Sequence, residues 1–133
     1  MLFRSWQYAH DIGFIHYWYT GDALEAARWF ERAADMPGAP EWIRPFAATT
    51  RVQGGDRAGA RRLLATLQEA QEEYVRHAAQ RALLQLQALD ARDALVALIA
   101  QVTARTGRAP VSWADLVDAG ALRGIPEIGR AHG

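Results

Sequence analysis

The side chains best suited to metal or acid–base chemistry in this sequence are four histidines. His10 and His16 are six residues apart. Two imidazoles on one helix reach a common ion from positions i and i+4, where they share a face, and six residues misses that spacing. His77 and His132 have no histidine near them in the sequence. All four read as surface or core histidines. Asp90 and Asp93 could form a carboxylate pair for proton transfer, but they fit better as first-turn carboxylates facing a helix dipole. Ser112 with Asp115 could suggest a nucleophile. No base and no G-x-S-x-G elbow accompanies them, so Ser112 reads as a helix N-cap. Arg57, Arg61 and Arg62 form a small basic cluster that could meet phosphate. Glu69, Glu72 and Glu73 follow it closely, and the cluster reads as a solvated face. There is no P-loop and no dinucleotide glycine fingerprint. We therefore assign no catalytic, cofactor-binding or metal-ligating residue, expect no cofactor, and read the chain as non-enzymatic.

Composition narrows the remaining classes. The 133 residues suffice for one domain with a real core. Formal net charge is zero, so no bulk field draws the chain to nucleic acid or anionic lipid. The absence of Cys removes disulfides, thiolate zinc sites and cysteine nucleophiles. No run approaches the roughly 20 apolar residues of a membrane helix. All fifteen basic residues are Arg, and Lys and Asn are absent. That usage points to a GC-rich bacterial gene. Compartment is not legible.

The elements that would position these residues are helices. Residues 6–19, "WQYAHDIGFIHYWY", carry apolar and aromatic side chains on two helical sides. Gly21 and Asp22 stop this helix and cap the next, with Glu25 in capping-box position. The second helix, from Ala23, ends at Pro37-Gly38. Pro40 opens a third, in which Pro45 marks either a kink or the start of the regular part. Gly54-Gly55-Asp56 repeats the stop and start, and a fourth helix runs over residues 57–73. Gly59 within it reads as a place of close helix approach. A fifth helix is expected over residues 74–89 and, capped by Asp90, a sixth over 91–105, with Leu95, Leu98, Ile99 and Val102 on its apolar face. Ser112 opens a short seventh that Gly120 closes.

Gly21-Asp22 and Gly55-Asp56 lie 34 residues apart, Ala26 matches Ala60, and Phe30 matches Leu64. Tyr17 sits four residues before Gly21. Residues 6–37 and 40–74 thereby resemble two consecutive tetratricopeptide repeats. The first helices depart from the repeat: the usual small residue before the aromatic pair is missing, and Arg51 stands for the second aromatic. The resemblance implies an all-α solenoid fragment of antiparallel helix hairpins, about six helices plus a short C-terminal one. Such hairpins hide their apolar sides only by stacking. The expected organisation is a helical-repeat domain over residues 6–105 and a short capping segment over 106–126.

The C-terminal stretch "ALVALIAQVTARTGRAPVSWADLVDAGALRGIP" also resembles a pattern of bacterial pseudopilins: a long helix, G-R-x-P, a short helix and AG-x-L-x-x-I-P. Beyond Pro126 that pattern stops. "LFRS" can be encoded by CTCTTCCGATCT and "EIGRAH" by GAGATCGGAAGAGCACAC, and the reverse complement of the first lies inside the second. Residues 1–5 and 127–133 thus resemble sequencing-adapter read-through, and that resemblance implies a fragment, expected to continue in both directions.

In tetratricopeptide repeats the first helices line a concave face that holds peptides. Carried onto this sequence, that register implies a partner surface of Tyr8, Asp11, Ile15, Trp18, Tyr19, Trp42, Thr49 and Gln53. The same rings could instead pack the core or a neighbouring repeat. The expected function is a scaffold or protein-interaction module, with a protein or peptide partner and neighbouring repeats or domains as its contacts. The alternatives are a structural part of an envelope or secretion assembly, and the accessory domain of an enzyme.

Overall fold

A computed structural model describes residues 5–124. Of the expected foreign ends, residues 1–4 and 127–133 lie outside these residues, as do positions 125 and 126 of the capping segment. The described residues are all-α, with no strand among them: α1 (Trp6–Ile15), a π-helical turn (His16–Thr20), α2 (Ala23–Ala34), α3 (Ile43–Gln53), α4 (Arg57–Leu67), α5 (Glu73–Thr106) and α6 (Trp113–Asp118). The chain divides into two compact units, Met1–Leu86 and Gln87–Gly133.

The first unit is built from two helix hairpins whose turns are alike. Gly21 and Gly55 adopt left-handed φ values of 72° and 88°, which cost an L side chain about 1 kcal/mol or more. The aspartate that follows each glycine caps the next helix: Asp22 accepts from the Glu25 N–H at 3.0 Å, and Asp56 from the Gly59 N–H at 2.8 Å. Glu25 does not close a capping box; its carboxylate takes Arg28 Nη1 at 2.9 Å. Ser5 caps α1. Pro45 lies in the first turn of α3, where a missing N–H costs nothing, so the regular helix starts just before it.

The core of this unit is aromatic. Phe30 and Ile43 are fully buried, with Ala9, Ala26, Ala33 and Ala47 between them. Phe14 meets Phe30 edge-on at 5.0 Å between centroids, and Phe46 closes on both at 4.9 and 5.7 Å. Each such ring pair adds about 0.5–1.5 kcal/mol beyond its buried area.

Three expectations change. α1 does carry a small residue at the helix crossing: Gly13, whose missing Cβ would stand 2.5 Å from the Phe30 ring. It stands eight positions before Gly21, where Ala48 stands seven before Gly55, and the π-helical turn takes up the extra residue. The His16 carbonyl accepts from the Gly21 amide, from Asp22 N at 3.2 Å and from Thr20 Oγ1 at 3.2 Å. The space beside Gly59 is filled by the Asp56 carboxylate rather than by another helix. α4 ends at Leu67, short of residue 73.

The fourth change is the largest. The helices expected on either side of Asp90 are one, α5. Asp90 can cap only if the backbone turns before it, and Leu89 lacks the left-handed freedom of Gly21 and Gly55. Asp90 and Asp93 are therefore mid-helix residues. Within the first unit, Val75, Ala79, Ala82 and Leu86 form the buried face of α5.

In the second unit α6 covers the later part of α5. Leu116 and Val102 are buried, and Leu95 and Ile99 face Trp113 and Leu116 across a cleft. Ser112 accepts from the Asp115 N–H at 3.2 Å while Asp115 accepts from Val111 N at 2.9 Å. Ser112 is thus the N-cap read for it, while the Asp115 carboxylate takes the amide one residue earlier and leaves the capping box open. Gly107 and Gly120 end their helices at φ 76°.

Candidate functional site

A cleft of about 270 Å³ opens in the first unit between α3 and the start of α5. Trp42, the N-cap residue of α3, and Pro45, Phe46 and Thr49 within it form one wall; α5 contributes Tyr74, Ala78, Arg81, Ala82 and Gln85. Residues four and three apart on each helix share a face, which is why 42, 45, 46 and 49 line one wall together. Trp42 is 38 % exposed and Tyr74 56 %. Next to it, Tyr74 and Trp42 flank a second hollow with Ala39, Pro40 and Glu41.

The Trp42 ring is held from behind. His10 meets it edge-on at 5.6 Å, and Phe46 at 6.0 Å. His10 also packs on Phe14 at 4.6 Å and on Trp6 at 5.7 Å, so it is a packing histidine, with Asp11 Oδ1 3.2 Å from its Nδ1. His16 Nδ1 lies 3.1 Å from Thr20 Oγ1 in the π-helical turn. Among the described residues no group of three or more His, Asp or Glu side chains is arranged to hold a metal ion.

Of the eight residues assigned to a partner surface, the cleft brings together two, Trp42 and Thr49. Tyr8, Asp11, Ile15, Trp18 and Tyr19 lie on α1 and the π-helical turn and do not line it. They are exposed: Trp18 at 68 %, Tyr19 at 85 %, and Ile15, Tyr8 and Asp11 to lesser or similar degrees. Gln53 is exposed near the end of α3, also outside the cleft. Sequence reasoning missed Phe46, Tyr74 and Arg81. The period of α3 could have found Phe46, which shares a helical side with Trp42 and Thr49.

The strongest electrostatic feature lies on the other side of α3. The Arg51 guanidinium donates from Nε and Nη2 to the two oxygens of Glu31, the second at 2.8 Å, and from Nη1 to Asp56 at 2.8 Å. These bonds, that to Glu31 first, hold Arg51 charged above the already high range of an arginine. The Gly59 amide, then Arg51, push the Asp56 carboxyl below its ordinary value. The group ties α2, α3 and the α3–α4 turn together and is structural. No helix among the described residues is long and apolar enough to cross a membrane. No protein-family model, no curated protein and no solved structure matches the chain.

Proposed function

We propose that the chain is a non-enzymatic helical-repeat module, built on tetratricopeptide-like hairpins, that holds a segment of a partner protein in the cleft between α3 and α5. The observation that carries this reading is the cleft wall itself. Two half-exposed rings, Trp42 and Tyr74, line it; Trp42 is backed by the His10 and Phe46 rings, and Arg81 lines the same cleft. Aromatic rings with a polar handle give large contact area at low entropy cost, and a guanidinium selects a carboxylate. The fitting ligand is a short peptide with an apolar or aromatic side chain next to an acidic one.

Selection of displayed random peptides on the full chain, followed by titration, tests this. Selected peptides should carry that pairing and lose at least about ten-fold in affinity with Trp42→Ala or Arg81→Glu, a change of about 1.4 kcal/mol. Trp18→Ala should leave them unaffected. Selection of no binder, or equal binding by all three variants, overturns the reading.

A further inference from the structure

Trp42 and Tyr74 line both the cleft and the second hollow beside it, and so form the boundary between the two. Glu41 borders only the hollow and Arg81 only the cleft. A pair of rings thus stands between an acid and a base. Both charged side chains are exposed, and no hydrogen bond or ion pair to another described residue occupies either. A segment lying across the boundary meets the carboxylate at one end, the rings in the middle and the guanidinium at the other.

The walls also limit the backbone of such a segment. Thr49, Ala78, Arg81, Ala82 and Gln85 stand inside helices, whose amides and carbonyls are already paired along the ladder. The Phe46 amide donates to the Trp42 carbonyl at 3.2 Å, and Thr49 Oγ1 donates to the Phe46 carbonyl at 3.0 Å. Among the described residues there is no strand whose edge could take the segment instead. An ordinary extended peptide would bring an N–H at every residue into the cleft and leave it unpaired, which costs free energy. Proline brings none. A polyproline II helix keeps its carbonyls outward, as acceptors for the Trp42 indole N–H, the Tyr74 hydroxyl and the Gln85 amide. Its side chains recur on one side every three residues, or about 9 Å. Tyr74 and Arg81 are seven residues apart on α5, about 10 Å along its axis. A proline set on the rings therefore brings the third residue beyond it to Arg81.

We propose that the segment held here is proline-rich and in the polyproline II conformation, with a basic residue at Glu41 and an acidic one at Arg81. The inference rests on the peptide-binding reading of the cleft and names its ligand class. The charges at the two ends fix the direction in which the segment lies.

The test is calorimetric titration of the full chain with two synthetic peptides whose ends are blocked, Arg-Pro-Pro-Leu-Pro-Pro-Glu and the reversed order Glu-Pro-Pro-Leu-Pro-Pro-Arg. Wild type should bind one order at least about ten-fold more tightly than the other. Glu41→Arg and Arg81→Glu together should invert that preference at unchanged helix content, since both residues are exposed. Replacing every proline of the preferred peptide by alanine should cost at least about ten-fold in affinity. Equal binding of the two orders, a preference that survives the double charge reversal, or an alanine peptide that binds as well overturns the proposal. If neither proline peptide binds while peptides selected from a random library still need Trp42, the ligand class falls and the cleft stands. If the library also yields no binder, both fall.

Discussion

Gly13 and Phe30 are in contact so close that the Cβ glycine lacks would lie 2.5 Å from Cε1 of the ring. The pair sets the crossing of α1 on α2. In an open helix, glycine to alanine stabilises by about 1 kcal/mol. Here the sign reverses: Gly13→Ala should destabilise by about 1–3 kcal/mol, because the ring is fully buried and hemmed in by His10, Phe14 and Phe46. Urea unfolding measures it. Phe30→Leu in the same chain should recover part of the loss, and a double-mutant cycle with no coupling would remove the crossing from the account.

Arg51 and Asp56 give the protein an acid limb. Asp56 has its folded pKa below the ordinary value. Its ionised form therefore adds stability at pH above the usual carboxylate range of about 3.9, and that stability is lost as pH falls through the lower folded value. Asp56→Asn keeps a side chain that can cap α4 but removes the charge facing Arg51. Its deficit against wild type should be full at pH 7 and shrink towards pH 3. A deficit constant over that range would mean the charge contributes nothing.

Trp42 and Phe46 share a helix face but answer to different measurements. Phe46 packs on Phe14, Phe30 and Tyr17, so Phe46→Ala should cost about 3–5 kcal/mol of stability. Trp42 rests on the rim with its ring partly in water, and Trp42→Ala should lower the melting temperature less while removing peptide binding. Equal melting losses would make Trp42 a core residue and weaken the cleft as a binding surface.

Local chemistry made the first unit legible. Gly21-Asp22 and Gly55-Asp56 each combine a residue free to adopt positive φ with a side chain that caps, and both turns form where that pair stands. Leu89-Asp90 keeps only half of the signal. Read as a cap alone, Asp90 suggested a turn that the backbone of Leu89 does not make. Two other features carry no local signature. The π-helical turn shows in sequence only as one residue too many between Gly13 and Gly21. The cleft joins α3 to α5 across residues 54–72, so Tyr74 and Arg81 belong to it through tertiary packing alone.

The extra residue of the π-helical turn gives the remaining prediction. Eight positions separate Gly13 from Gly21, against seven from Ala48 to Gly55 in the next hairpin. A π-helical turn is the form a single inserted residue takes inside a helix, and such turns persist mostly where function retains them. Tyr19 is 85 % exposed, so deleting it removes no core side chain and lets the helix run as regular α to Gly21. The deletion should keep the Gly13–Phe30 crossing and leave stability within about 1 kcal/mol of wild type, or raise it, since a regular i→i+4 ladder replaces the π-helical turn. Thermal unfolding with near-ultraviolet circular dichroism, which reports the Phe14–Phe30–Phe46 cluster, reads both effects. A large loss of stability with collapse of the aromatic signal would mean that the two hairpins are not equivalent and that the π-helical turn is needed to bring the rings together.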